Sequence, residues 1–167
     1  MTWLGILATV AGLLPPPCLV PPVDAPIVER FRPPACEYCA GHRGIDFGAD
    51  GGARVRAAAA GTVTFAGQVA GATWVVVAHA GDLRTSYGDL GLLEVRVGVE
   101  VQAGQVIGTA SGPLHLGLRR AATYLDPEPW LGRWRTRARL VPLDGSPPRP
   151  AAGRVLCPAG GAPRADR

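Results

Sequence analysis

Between Arg54 and Arg119 the chain is a succession of short β-type segments punctuated by glycine, with few helix signals. Thr62, Val63, Thr64 and Phe65 alternate in polarity, and Thr73 to Ala78 is rich in β-branched residues. Leu93 to Val101 alternates through Val95, Val97, Val99 and Val101, and Gln105 to Thr109 reads as a short apolar strand. Many strands at such short spacing predict an all-β, glycine-rich sandwich or barrel. Ala60-Gly61-Thr62-Val63 and Ala103-Gly104-Gln105-Val106 match one another, which suggests two related β halves. One short C-terminal helix is predicted after Asp126-Pro127, with Asp126 as N-cap, Pro127 in the first turn, and Trp130 and Leu131 packing it onto the sheet.

A length of 167 residues predicts one domain with a real core. Residues 26–141 are assigned to the β domain. Trp3 to Leu14 form an apolar run too short to span a bilayer but suited to an export signal, so residues 1–25 are assigned to a leader. That run is the part of the chain expected to meet a membrane if it is not removed. Pro17 before Cys18 argues against a lipidated cysteine. Residues 142–167, dominated by proline, alanine, glycine and arginine, read as a disordered tail.

All 17 basic residues are arginine, and the absence of lysine excludes biotinyl-lysine, lipoyl-lysine and Schiff-base chemistry. The net charge of +4 is concentrated after residue 118, in Arg119, Arg120, Arg133, Arg135, Arg137 and Arg139. Such a run is a solvated face or a patch for anionic wall polymers or membrane surfaces. Aromatic interleaving is limited to Trp130 and Trp134, which argues against nucleic acid as a partner. Cys36-Glu37-Tyr38-Cys39 lacks the second pair a zinc knuckle needs and the following helix a thioredoxin-like site needs. A disulfide is expected there, either closing the loop itself or reaching Cys157, and it suits an oxidising, exported location.

Two of the three histidines fall in the motifs that carry chemistry. Gly41-His42-Arg43-Gly44-Ile45-Asp46 is answered far downstream by Leu114-His115-Leu116-Gly117-Leu118-Arg119. His42, Asp46 and His115 together would give one divalent ion three protein ligands and an open fourth position, as in catalytic zinc sites.

These motifs, with V-R-A-A-A-A-G-T-V-T-F-A-G (55–67), W-V-V-V-A-H (74–79), L-R-T-S-Y (83–87) and V-Q-A-G-Q-V-I-G (101–108) between them, resemble the lysostaphin-type (LytM-like) zinc metallopeptidases over about residues 32–131. That family cuts peptide cross-links in peptidoglycan. The resemblance implies a duplicated hybrid β architecture, one zinc ion, and His42, Asp46 and His115 as its ligands. It also implies a divergent member. Asp89 stands where the family usually has a histidine after the tyrosine strand, and Pro113 stands at the first histidine of the usual His-x-His. The missing pair are the proton-handling groups, whose loss costs ~100-fold to 10,000-fold in rate. Asp89, Tyr87 and His79 are the candidates to stand in for them, although His79 reads first as a structural residue at the end of its strand. The favoured expectation is an exported, catalytically degenerate module that binds peptidoglycan peptides or regulates another cell-wall hydrolase. An active zinc endopeptidase is the alternative, and a phosphotransfer domain is disfavoured by the export signal.

Overall fold

The computed structural model describes residues 18–36, 38–135 and 154–157. It is all-β, as the glycine-punctuated alternation predicts. Nine strands form one antiparallel sheet: β1 (Ile27–Glu29), β2 (Gly44–Phe47), β3 (Arg54–Arg56), β4 (Gly61–Val69), β5 (Ala72–Ala78), β6 (Leu83–Leu93), β7 (Glu100–Val101), β8 (Val106–Arg120) and β9 (Thr123–Leu125). The order across the sheet is β1-β2-β8-β6-β5-β4-β7, with β3 and β9 also pairing β8. A separate two-stranded ribbon joins β10 (Arg133–Arg135) and β11 (Arg154–Leu156).

Alternation decides which face carries the site. Leu114, Leu116 and Leu118 of β8, Ile45 of β2, Val75 and Val77 of β5, and Leu83 and Tyr87 of β6 are all essentially inaccessible and form the core. Burying each such apolar side chain favours the fold by about 1.5–3 kcal/mol. Because neighbouring side chains on a strand point to opposite faces, Asp46 on β2 and His115, Gly117 and Arg119 on β8 belong to the other face.

Two elements differ from the sequence expectation. Leu93 to Val101 is not one strand: β6 ends at Leu93 and β7 is only two residues long. Gly98 turns the chain there with a φ of +88°, donating its N–H to Val63 O, and the turn leaves Val97 exposed despite the alternation. The expected C-terminal helix is a single 3-10 turn, Glu128–Trp130, with Pro127 rather than Asp126 at its N-cap. The Asp126 side chain nevertheless accepts the Glu128 N–H, and Trp130 is buried as anticipated.

Packing also continues past the expected boundaries at residues 25 and 141. Leu19 is fully buried, bridges to Leu131, donates its N–H to Trp130 O and accepts that of Gly132. Val20 donates to Ala58 O, and Arg56 donates to Pro22 O. Cys18 is bonded to Cys157, just after β11, and Cys36 is bonded to Cys39. The Cys18–Cys157 bond therefore joins the two ends of the described chain. Trp3 to Leu14, Arg137, Arg139 and most of the expected tail lie outside the described residues.

Candidate metal centre

The strand register brings together the three residues expected as ligands. Asp46 lies opposite His115 in the β2–β8 ladder. His42 precedes β2 and is held by a pair of backbone hydrogen bonds with Arg32, Arg32 N to His42 O and His42 N to Arg32 O. His115 Nδ1 is 2.7 Å from Asp46 Oδ1, His42 Nε2 is 3.1 Å from the same oxygen, and the two ring nitrogens are 3.3 Å apart. Donor atoms bound tetrahedrally to one zinc ion at ~2.0–2.2 Å are themselves about 3.3–3.6 Å apart, so the triangle is only slightly tighter than a zinc site requires.

The tautomers also fit. His42 Nδ1 faces Arg30 O at 2.9 Å, and a carbonyl can only accept, so Nδ1 carries the proton and Nε2 presents a lone pair. That is the outer hydrogen bond by which metal-ligating imidazoles are oriented. Arg30 is itself ion-paired to Glu128, which anchors this carbonyl to the 3-10 turn. Two imidazole nitrogens and a carboxylate oxygen thus converge within 3.3 Å of one another, an arrangement that can hold a cation. Among the described residues, His42, Asp46 and His115 are the group of ligating side chains that meets this description.

Close backbone approach shapes the floor. A Cβ at Gly44 would lie 2.4 Å from Leu116 O and 2.6 Å from His115 Nε2, so a side chain there would displace the ligand. Gly88, opposite His115 in the β6–β8 ladder, leaves room for the Trp74 ring, which meets the His115 imidazole edge-on at 5.5 Å between centroids. Trp74 is a site residue that the sequence reading passed over as part of a strand. Its place opposite to buried Val75 and Val77 in the alternation was the available signal.

The three expected stand-ins are placed differently from one another. Tyr87 is a core residue: its hydroxyl is fully buried, accepts the Ala58 N–H at 2.7 Å and lies 3.0 Å from Thr85 Oγ1. Burial pushes its pKa up to about 12, against the lowering effect of those hydrogen bonds, so it stays neutral and turned away from the triad. His79 joins the same network. Its Nδ1 is 2.7 Å from Ala60 O and its Nε2 is 2.8 Å from Thr85 Oγ1. The Ala60 carbonyl requires a proton on His79 Nδ1, and the Thr85 hydroxyl lies between His79 Nε2 and the Tyr87 oxygen, which also accepts the Ala58 N–H. These bonds tie His79 to the buried Thr85 and Tyr87 side chains. Asp89 is exposed in a β6 bulge, directly after Gly88, with a φ of +61°; its backbone oxygen accepts from Ser111 Oγ. Pro113, two residues before His115 on β8, is exposed and offers no proton-handling group.

Burial lowers the His79 pKa below its ordinary 6.5, outweighing the hydrogen bond to Ala60. A depressed folded-state value means that its contribution is complete above about pH 6.5 and is lost as pH falls through the lowered pKa. We expect the unfolding midpoint of metal-free protein to drop between pH 7.5 and 5, and the drop to be smaller in His79→Gln. An identical drop in both proteins would refute the assignment.

Comparison with known proteins agrees with this geometry. The model of Peptidase family M23 matches residues 40–127, which include all three ligand candidates. The chain belongs to Peptidase family M23. An uncharacterized protein of Mycobacterium tuberculosis (strain H37Rv) is 39% identical over 145 residues, 78% of this chain and 53% of that protein. The murein hydrolase activator EnvC of Escherichia coli K12 is 34% identical over 67% of this chain and 28% of its own length. This M23 chain thus spans about half the length of the mycobacterial relative and less of EnvC. Among solved structures, Helicobacter pylori Csd3 superposes with a TM-score of 0.62 at 26% identity, covering 77% of this chain and 38% of Csd3. The catalytic domain of lysostaphin from Staphylococcus simulans gives 0.55 at 26% identity, covering 64% of this chain and 91% of that domain. The protein is a divergent, LytM-like M23 member.

Proposed function

We propose that this M23 domain holds one zinc ion through His42 Nε2, Asp46 Oδ1 and His115 Nδ1 and binds peptidoglycan peptides in the groove around them without cleaving them efficiently. The observation that carries this reading is the contrast within the site: three possible ligand atoms converge, while Tyr87 and His79 are hydrogen-bonded to Thr85 and to backbone. Bound there, zinc supplies Lewis-acid polarisation of a carbonyl and acidifies water. The chain's own residues orient the ligands through Arg30 O and the Gly44 contact, and Trp74 walls the groove. Such a domain acts outside the cytoplasm as a wall-binding or hydrolase-regulating module, and its two disulfides suit an oxidising envelope. The name of the relative EnvC, a murein hydrolase activator, supports the regulatory form.

The second reading, an active zinc-dependent peptidoglycan endopeptidase, is favoured by retention of an open three-donor set. In it Asp89 is the exposed group left to accept a proton. Incubating zinc-loaded full chain with intact sacculi separates the two: we expect sacculi to retain the protein and release no new amino termini. The Asp89→His, Pro113→His double variant is expected to gain activity on the scale of ~100-fold or more, as restored proton transfer should. Rapid release of amino termini by the wild-type chain would overturn the degenerate reading in favour of the enzyme.

A further inference from the structure

On the face that carries the metal triad, the sheet continues from His115 into a group of arginines. Gly88 is opposite His115, Ser86 opposite Gly117, and Arg84 opposite Arg119, while Tyr124 of β9 flanks Arg119 on the far side. Arg119 also lines a concavity of about 660 Å³ together with Arg43, Tyr124, Tyr38, Cys36 and Pro34. Resting on the wall-peptide reading above, we propose that Arg84, Arg119 and Arg43 form a carboxylate-binding subsite that selects peptides bearing a free carboxylate on one side of the bond held at the triad.

Four observations support it. Like charges directly opposite one another destabilise a ladder, and among the described residues no carboxylate pairs with Arg84 or Arg119. An anion lying between them turns that repulsion into attraction. Arg43 is pre-positioned rather than free to wander: it donates to Cys39 O at 3.2 Å and its guanidinium lies 5.7 Å from the Tyr124 ring centroid. The Cys36–Cys39 disulfide closes the loop that supplies this carbonyl. No bulky side chain stands between triad and arginines, because Gly44, Gly117 and Ser86 occupy the intervening positions; a Cβ on Gly117 would already be 2.3 Å from Ser86 Oγ.

The spacing sets the ligand. Arg119 lies four positions beyond His115 on β8, or about 13 Å, and an extended peptide rises ~3.4 Å per residue. The recognised carboxylate therefore lies roughly three to four residues from the bond at the triad. Guanidinium forks suit planar carboxylates, which they bind through paired charge-assisted hydrogen bonds. A membrane surface would instead call for a projecting basic patch, whereas Arg43 and Arg119 line a concavity.

The test is calorimetric binding of soluble peptidoglycan fragments, released by muramidase, to the zinc-loaded full chain. Fragments are used unmodified and after chemical conversion of their carboxylates to amides. Unmodified fragments should bind ~10-fold tighter than amidated ones, the scale of hydrogen bonds to a charged group. Arg119→Gln and Arg84→Gln should each weaken the unmodified fragments by about 5- to 10-fold and leave amidated ones unchanged. Equal losses for both fragment types would overturn the subsite. So would losses confined to phosphatidylglycerol vesicles with fragment binding intact, which would assign the arginines to a lipid surface. If the wild-type chain binds both fragments equally, the carboxylate subsite alone falls; if it binds neither, the wall-peptide reading falls with it.

Discussion

Purified wild-type protein should contain or take up one zinc ion per chain, and His115→Ala should lose it, with affinity falling by at least ~100-fold. Losing one of three ligands removes a bond and leaves the Asp46 carboxylate facing one imidazole in place of two. The loss should deepen at acidic pH, because the ligating nitrogens must be deprotonated. Metal analysis after dialysis against a weak chelator measures stoichiometry, and competition with a zinc indicator measures affinity. Zinc retained by His115→Ala at wild-type strength would show that the His42, Asp46 and His115 triangle is not the binding site.

Leu19→Ala should destabilise the domain by about 2–5 kcal/mol, the range for truncating a fully buried leucine. For a domain of this size each kcal/mol lowers the melting temperature by about 2–4 °C. The reason is positional: Leu19 is inaccessible, and its backbone bonds Trp130 and Gly132 on the far end of the domain. If residues 18–25 were a dispensable leader, the same substitution would change stability by less than ~0.5 kcal/mol. Thermal unfolding of the two proteins with disulfides intact distinguishes these outcomes, and an unchanged midpoint would contradict the packing described for Cys18 to Ala25.

What could be read along the chain was local periodicity and spacing. The alternation of Leu114, Leu116 and Leu118 marks one face of β8, and once that face is buried His115 must lie on the other. Asp46 likewise alternates with Ile45 and Phe47. The candidate ligands His42, Asp46 and His115 could be picked out because they sit in motifs whose order matches a known family. Alternation failed at Leu93 to Val101, where Gly98 turns the chain and long-range pairing with Val63 outweighs β propensity.

The amino-acid sequence by itself determined the all-β class, the family and the absence of lysine, and it singled out His42, Asp46 and His115 as candidate ligands, since each depends on residue identity or short-range pattern. Only the tertiary structure decided that Tyr87 and His79 meet at Thr85, that Trp74 adjoins His115, that Cys18 pairs with Cys157, and that Arg84 faces Arg119. Those facts depend on which strands become neighbours and in what register. Register is set by burial across the whole sheet, and a shift of one residue would send every one of these side chains to the opposite face.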